Sequence, residues 1–424
     1  MNRHHKIAEQ VSKILYLITT AALQPMLPLH LRRRMKHGKE HPLRWHEKLG
    51  FPGAPRPKGT LVWLHAVGLG EVLALRSIIS ELHANDPKLQ FLVTSSTLAS
   101  AETFAQNLPP KTQHQFLPLD TPLYAKRFLD HWRPDLTLWS EQDVWPGLVF
   151  QTARRGVPQG LINARMNAAA AKRKRQVKTL FRAVYRCFAL ISAQDDKTVS
   201  GLVSLDVAHT IRIDGSLKSN APPLAINLEH LLHFQKALAG KEVWLAASCH
   251  PQDEDIAIAA HHSLCLKKPD IVLILAPRYP KRSEEILRKL AGFSVRVRSR
   301  NELPDGLTEI YLADSYGELG LWYKLANIAL IGGTFSAVEG HNPWEALQLN
   351  CAVMHGPRYA NFEADFATLL QAQACLPVYS AGDIVDRITN ETGSHAMANY
   401  LSIDQNHGSS LTALAKAIIG LIKR

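Results

Sequence analysis

Two glutamates stand where a strand hands over to a helix. The apolar run 61–66 (LVWLHA) leads into Val67-Gly68-Leu69-Gly70-Glu71, and helical periodicity follows. Glycines here permit a tight turn and a close approach of backbone to a ligand. A dinucleotide fingerprint needs a further glycine at position 73, which is Leu73, so that reading fails. Glu71 falls at a helix N-terminus, where the dipole favours an ionised carboxylate. Such a group in a cleft can serve as a general base, or simply as a helix-start residue. Glu141, in Trp139-Ser140-Glu141-Gln142-Asp143-Val144-Trp145-Pro146, follows a second strand, and Pro146 suits a helix start. Composition alone does not show whether the two glutamates share a cleft.

The second half carries a denser set. Asp214-Gly215-Ser216-Leu217-Lys218 places a lysine beside the break Ala221-Pro222-Pro223. Pro277-Arg278 ends a strand with an arginine, which suits a phosphate or carboxylate. Gly332-Gly333 ends another, and Gly340-His341-Asn342-Pro343-Trp344-Glu345 follows. Asn342 as N-cap and Pro343 at the first helical position predict a helix start. Asn342 and Glu345, three apart, then share a face where a carboxylate can take ribose hydroxyls. Backbone N–H groups at that helix end would receive a phosphate. Together these pieces describe a nucleotide-sugar site. Cys249, His250, His261, His262 and Cys265 cluster in sequence, but their spacing fits no common zinc pattern, and no metal is assigned.

The elements that must position these residues alternate. Strand-like runs at 61–66, 90–96, 114–119, 135–139, 159–163 and 187–193 are separated by helical patterns. The series restarts at 242–247, 270–276, 309–313, 328–332 and 351–355. Strands alternating with helices imply an α/β fold with parallel sheets covered on both faces. The Pro-rich break marks a domain boundary near residue 220, and two doubly wound halves bind ligands at the carboxyl ends of their strands.

The chain has 424 residues, 46% of them apolar, and 49 Lys+Arg against 37 Asp+Glu, a net charge of +12. That length suits two or three domains and excludes a disordered chain. Five scattered cysteines exclude a disulfide scaffold. The positive balance favours polyanionic partners. Arg32, Arg33, Arg34, Lys36 and Lys39 follow the apolar stretch Ile14 to Leu29, which Gln24, Pro25 and Pro28 interrupt. This predicts a helix lying against a membrane with its arginines on anionic headgroups, the alternative being an ordinary first helix packed on the body. A second basic cluster, Lys172 to Arg186, reads as a solvated helix face. No aromatics interleave with it and no nucleic-acid motif is present, so no nucleic-acid partner is expected.

In order along the chain, several segments match one family. They are Arg33 through Gly50, Arg56-Pro57, Trp63-Leu64-His65-Ala66 with Gly70-Glu71, Pro118-Leu119-Asp120 and His131-Trp132-Arg133-Pro134-Asp135. Then come Glu141 with Trp145-Pro146, Asn163-Ala164-Arg165, Gly215 with Leu217-Lys218, Pro277-Arg278, Gly317-Glu318-Leu319-Gly320, Gly332-Gly333 and His341-Asn342-Pro343 with Glu345. The sequence resembles the Kdo transferases, which move 3-deoxy-D-manno-octulosonic acid (Kdo) from CMP-Kdo to lipid A precursors.

The resemblance implies a GT-B type glycosyltransferase with two Rossmann-like doubly wound domains facing an interdomain cleft. It implies an inverting mechanism without an essential metal or cofactor. The organisation implied is a membrane-associating segment over 1–40, an acceptor-binding domain over 41–220 and a nucleotide-sugar domain over 221–424. Glu71 would be the general base, and Glu141 and Lys218 would stabilise the transition state. Pro277, Arg278, Gly317, Glu318, Leu319, Gly332, Gly333, Asn342, Pro343, Trp344 and Glu345 would hold CMP. Implied partners are a CMP-linked sugar donor, a lipid A-type acceptor and an anionic membrane surface, at the cytoplasmic face of a cell inner membrane. The chain departs from the family at Gly68 (usually serine), Met166 to Ala171 (usually serine-rich and basic), Cys249 (usually threonine) and Tyr279 (usually histidine). A divergent member with altered donor or acceptor preference, or with little turnover, is the alternative.

Overall fold

The computed structural model describes residues 3–105, 108–207 and 211–422. Met1 and Asn2, at the head of the expected membrane segment, and Lys423 and Arg424 lie outside the described residues. The chain forms two compact units, Met1–Ala221 with His407–Arg424, and Pro222–Asn406.

In the first unit, β1 (Leu61–His65), β2 (Gln90–Ser95), β3 (Thr112–Phe116), β4 (Leu136–Ser140), β5 (Gln159–Ala164), β6 (Leu190–Ala193) and β7 (Ile211–Ile213) form one sheet. Its order is β3-β2-β1-β4-β5-β6-β7, with parallel pairing throughout. Strands β1 and β4 are buried along their whole length, because helices cover both faces of a parallel sheet. Successive residues therefore feed two different cores. Leu61 and Trp63 pack with Phe128 and Trp139, while Val62 and Leu64 pack with Leu75 and Ile78. Buried indoles need partners: Trp63 Nε1 donates to Thr94 Oγ1 at 2.9 Å and Trp139 Nε1 to Gln159 Oε1 at 3.0 Å. The strand order reverses between β1 and β4, which opens a crevice at their carboxyl ends.

The last stretch of the chain differs from the expected division, in which 221–424 is one domain. Leu414, Ala415, Ile418 and Leu421, an apolar stripe at helical spacing, complete the core beside Val72 and Ile79 of the first unit. Ser410 Oγ donates to the Asp214 carbonyl at 2.9 Å, and Thr412 Oγ1 to Glu81 Oε1 at 2.9 Å.

In the second unit, β8 (Glu242–Cys249), β9 (Ile271–Pro277), β10 (Val295–Val297), β11 (Ile310–Leu312), β12 (Ile328–Ile331), β13 (Ala352–His355) and β14 (Leu376–Pro377) form a parallel sheet. Its order is β10-β11-β9-β8-β12-β13-β14. Val243 and Leu245 enter one core, Trp244 and Ala246 the other. Here the reversal falls between β8 and β12.

The N-terminal segment comprises a helix Arg3–Leu23, a 3-10 turn Gln24–Met26 and a helix Leu27–Lys36, with Pro25 and Pro28 in the first turns of the later two. The long helix presents two opposite faces. Glu9 accepts from Arg182 Nε at 2.6 Å and from an Arg186 amino group at 2.8 Å. Ser12 Oγ donates to Thr179 Oγ1 at 3.1 Å, and Tyr16 Oη to Asp120 Oδ2 at 2.7 Å. These positions follow the i, i+3, i+7 rhythm of one helix face. Ile7, Val11, Ile14, Leu15 and Ile18 occupy the other face and are exposed. The second basic cluster divides accordingly: Lys172, Arg173 and Arg175 are exposed, whereas Lys174 and Arg182 are buried.

Because the Arg182 side chain is only 7% exposed, removing its carboxylate leaves a poorly compensated buried charge. Glu9→Ala should lower unfolding stability by about 3 kcal/mol. Denaturant titration of the two proteins measures this, and equal midpoints would mean that the pair does not hold the helix.

Candidate functional site

The two glutamates of the first unit flank the reversal of strand order. Glu71 sits at the third position of the helix Leu69–Asn85. Its Oε2 accepts from the backbone N–H groups of Val67 at 3.1 Å and Gly68 at 3.2 Å. One oxygen thus pins the turn after β1 in the manner of a capping box. Oε1 takes no hydrogen bond among the described residues. The helix-start reading and the base reading of Glu71 are therefore compatible, since they use different oxygens. A Cβ on Gly68 would meet Glu71 Oε1 at 3.4 Å, an ordinary contact, so a β-carbon fits here without displacement.

Glu141 follows β4 with φ of +60°. That left-handed conformation costs a residue with a Cβ about 1 kcal/mol or more, so neighbours must hold it. Its N–H donates to the Ile162 carbonyl at 3.1 Å. Its carboxylate is buried, with Oε1 3.0 Å from Lys218 Nζ. Lys218 rides on the 3-10 turn Leu217–Asn220. The Leu217 N–H donates to Asn163 Oδ1 at 3.0 Å, and Gln194 Nε2 donates to the same oxygen at 2.9 Å. Burial pushes the Glu141 carboxyl above its usual range; Lys218 pulls it back, the charge of Glu71 adds to the rise, and Arg165 opposes it. The structure thus brings Glu71, Glu141 and Lys218 together at one crevice. Asn163 lay in a matched motif, yet nothing in its type revealed that it anchors the lysine turn.

The run Met166 to Ala171 has another meaning than its sequence suggests. Met166, Ala170 and Ala171 are core residues, and Asn167 caps the helix Ala168–Gln176 by accepting from the Ala170 N–H at 2.8 Å. The methyl groups of Ala170 and Ala171 are packing, and Ala169 is exposed.

In the second unit, Pro277, Arg278, Gly317 and Leu319 line one hollow with Ser248 and Trp322. The Arg278 side chain is exposed and has no ion-pair partner among the described residues, while its N–H is fixed to the Cys249 carbonyl at 2.9 Å. Asn342 Nδ2 donates to Glu345 Oε1 at 3.2 Å. Burial pushes the Glu345 carboxyl up, opposed by Asn342 and Arg278.

Other expected residues are placed differently. The helix after Asn342 is a single turn, Trp344–Leu347, with Pro343 before it and not inside it. Its first N–H is already taken by Asn342 Oδ1 at 3.1 Å. The Trp344 side chain is buried and donates to Asp365 Oδ1 at 2.7 Å. The carboxylate of Glu318 is engaged by Arg298 at 2.7 and 2.9 Å. Gly332 is required by packing, because a Cβ there would stand 2.3 Å from the Ser248 carbonyl. Gly333 has φ of +72°, which favours glycine, and its N–H donates to Asp253 Oδ2 at 2.7 Å.

Two features of this end escaped the sequence reading. Asp253, wholly buried, also accepts from the N–H groups of His250 at 2.9 Å and Phe335 at 3.0 Å, tying the ends of β8 and β12. His250 and His341 meet through their Nε2 atoms at 3.1 Å with rings stacked. Burial, helped by Arg278, holds the His341 pKa down to about 4. Each histidine sits beside a proline-bearing turn, Cys249-His250-Pro251 and His341-Asn342-Pro343, the one signal in the sequence that links them.

Residues 43–221 match the family model of 3-deoxy-D-manno-octulosonic-acid transferase. A probable mitochondrial 3-deoxy-D-manno-octulosonic acid transferase of Arabidopsis thaliana is 36% identical over 84% of this chain and 82% of its own. The 3-deoxy-D-manno-octulosonic acid transferase of Haemophilus influenzae is 32% identical over 80% of this chain and 81% of its own. Among solved structures, a UDP-glucosyltransferase of Polygonum tinctorium shares the fold, with a TM-score of 0.52, 12% identity, and coverage of 88% of this chain and 100% of its own. The architecture is of the GT-B type.

Asp253→Ala would strip three buried N–H groups of their acceptor, at about 1–3 kcal/mol each. Amide exchange at Gly333 and Phe335 should accelerate strongly relative to amides of the first unit. Unchanged protection would show that the loop is held by something else.

Proposed function

The chain belongs to the Kdo transferase family, and from that premise we propose that it transfers Kdo from CMP-Kdo to a lipid A-type acceptor in lipopolysaccharide biosynthesis. The observation that carries the catalytic reading is the Glu71 carboxylate, with one oxygen spent on the turn and the other unbonded beside the buried Glu141–Lys218 pair. In the proposed step, Glu71 Oε1 takes the proton of the acceptor hydroxyl. The hydroxyl oxygen forms the new bond to the anomeric carbon, and the bond from that carbon to the phosphate oxygen breaks with its electron pair leaving on CMP. Attack opposite the departing phosphate inverts the centre. Glu141 and Lys218 present paired charges to the sugar as positive character develops on it. Pro277, Arg278, Gly317, Leu319, Asn342 and Glu345 are assigned to CMP, with Arg278 meeting its anionic charge. Backbone alone is assigned at Glu318, Gly332, Gly333, Pro343 and Trp344, since their side chains are absent or committed to the protein.

We also infer that the N-terminal helix lies on the membrane and does not cross it. The helical stretch Ile7–Lys36 is long and apolar enough to span a bilayer, but the polar face of its first helix is bonded to the protein. Its exposed apolar face suits burial at the level of the acyl chains. Exposed Arg32, Arg33, Lys36 and Lys39 suit the anionic headgroups beside it, at the cytoplasmic face where the donor nucleotide is available.

Incubation of the full chain with CMP-Kdo and a lipid A precursor, followed by mass analysis of the lipid, tests the activity; no added Kdo mass would overturn it. Glu71→Gln should reduce turnover roughly 100-fold or more with CMP affinity retained, and near-parental turnover removes Glu71 from the mechanism. Changing Ile14, Leu15 and Ile18 together to Ser should weaken binding to anionic vesicles at least about tenfold, because each apolar side chain contributes about 1.5 kcal/mol or more on burial. Equal sedimentation with vesicles would defeat the in-plane reading.

A further inference from the structure

The turn that aims Glu141 has a support that the proposed mechanism does not use. Lys174 belongs to a run of basic residues, yet it is 9% exposed while Lys172, Arg173 and Arg175 beside it are exposed. A solvated helix face does not account for it. Burying an ammonium is costly unless its charge and protons are met. Lys174 Nζ donates to the Gln142 carbonyl at 3.0 Å and to Tyr185 Oη at 2.9 Å. It also stands 5.1 Å over the ring of Phe181 and 5.5 Å over that of Tyr185. Two of these three partners, Phe181 and Tyr185, lie on one wall, the helix Lys178–Tyr185. The third is the carbonyl of Gln142, in the second peptide after Glu141. That peptide is where support is needed, because Glu141 is held in the left-handed region and Gln142 must carry the chain back out of it.

We propose that Lys174 is a positioning residue for Glu141, its ammonium holding the Gln142 carbonyl and with it the turn that keeps the carboxylate at Lys218. The proposal rests on the reading of Glu141 as part of the catalytic site. A charge-assisted bond to a carbonyl is shorter and stronger than a neutral one, so the grip depends on the proton. The surrounding groups are Glu141 and Asp143 on the turn, Arg173 on the same helix, and Tyr185 and Arg182 on the packed helix. Arg182 is committed to Glu9 and Asp206, and burial pushes both Asp143 and Tyr185 up. Burial draws Lys174 down to about 8, with Asp143 opposing and Arg173 assisting. A lysine with a lowered value is charged below it and neutral above, so the grip is full at neutral pH and weakens as pH rises past about 8.

Three variants of the full-length protein, assayed with CMP-Kdo and lipid acceptor, test this. Lys174→Met keeps the length and removes the charge; kcat should fall about tenfold or more with KM for the donor unchanged. Lys174→Arg keeps a charge that does not titrate in this range; it should retain most of kcat and lose the fall in rate above pH 8. Glu141→Gln runs alongside, and near-parental turnover there overturns the catalytic reading of Glu141 and this proposal with it. If Glu141→Gln is impaired, the proposal alone falls on either of two results: parental kcat in Lys174→Met, or an unaltered alkaline fall in Lys174→Arg. Because the arginine variant reads a pH profile, a Lys174→Met protein that fails to fold still leaves the idea exposed to refutation.

Discussion

A carboxylate taken out of water must be met by a cation or by several converging N–H groups, and in the first unit that requirement at Glu141 governs the elements near the strand reversal. Leaving the carboxylate buried and unpaired would cost several kcal/mol, so Lys218 must reach it, as it does at 3.0 Å. The lysine arrives late in the sequence, on a 3-10 turn that has to be tied down far from its own strand. Asn163 does the tying through the Leu217 N–H, and the Leu217 side chain is sunk beside Val72 and Ile78. Strand β4, strand β5 and the closing turn are therefore one network. Strand β1, which delivers Glu71, is bound to β4 by ordinary ladder pairing, His65 opposite Trp139. A change at any of these positions moves a charge.

The second unit solves the same burial problem by other means, with a different consequence. Asp253 is as deeply buried as Glu141, but three backbone N–H groups meet it instead of a side-chain cation. Backbone dipoles suffice for a carboxylate when several converge. Arg278 is thus left exposed at the end of β9, with no ion-pair partner among the described residues. One unit uses its cation internally and the other leaves its cation free for an anion. That division is the basis on which the catalytic step is proposed for the first end and the nucleotide for the second.

How far the sequence shows this depends on the kind of feature. The long strands announce themselves, since the LVWL of one and the VWLAA of the other are continuous apolar runs that suit a doubly covered sheet. Strands β7, β10 and β14, of two or three residues at the sheet ends, lack the length for any period to register. Residue type and strand-end position single out Glu71, Glu141 and Arg278, the residues proposed for the site. Spacing suggests the Asn342–Glu345 pair, and it forms. Spacing misleads at Trp344, where an aromatic in a ligand-like motif turns into the core. Composition misleads at Lys174, because a charge run gives no sign of which member faces inward. Asn163 and Asp253 act through bonds to residues 54 and 80 positions away, and no local pattern encodes such partners.

The N-terminal helix poses the same limit in its purest form. A period of 3.6 separates its polar and apolar faces but does not say which one meets the protein. The ordinary rule would turn Ile14 and Ile18 inward. Here the partners decide otherwise, because Glu9, Ser12 and Tyr16 have ready counterparts in Arg182, Thr179 and Asp120. Those counterparts are not incidental surface. Asp120 accepts the N–H groups of Gly147 and Leu148, and so caps the helix that begins immediately after the Glu141 turn. Gly147 is glycine for that reason, since a Cβ would stand 2.7 Å from the Asp120 carboxylate. Arg182 lies one turn before Tyr185, against which Lys174 rests. The helix whose outer face suits lipid is therefore bonded, on its inner face, to both elements that frame the Glu141 turn. The proposed attachment to a membrane and the alignment of the carboxylate draw on the same few bonds, so the helix Arg3–Leu23 belongs to the scaffold of the site as much as to the anchor proposed for it.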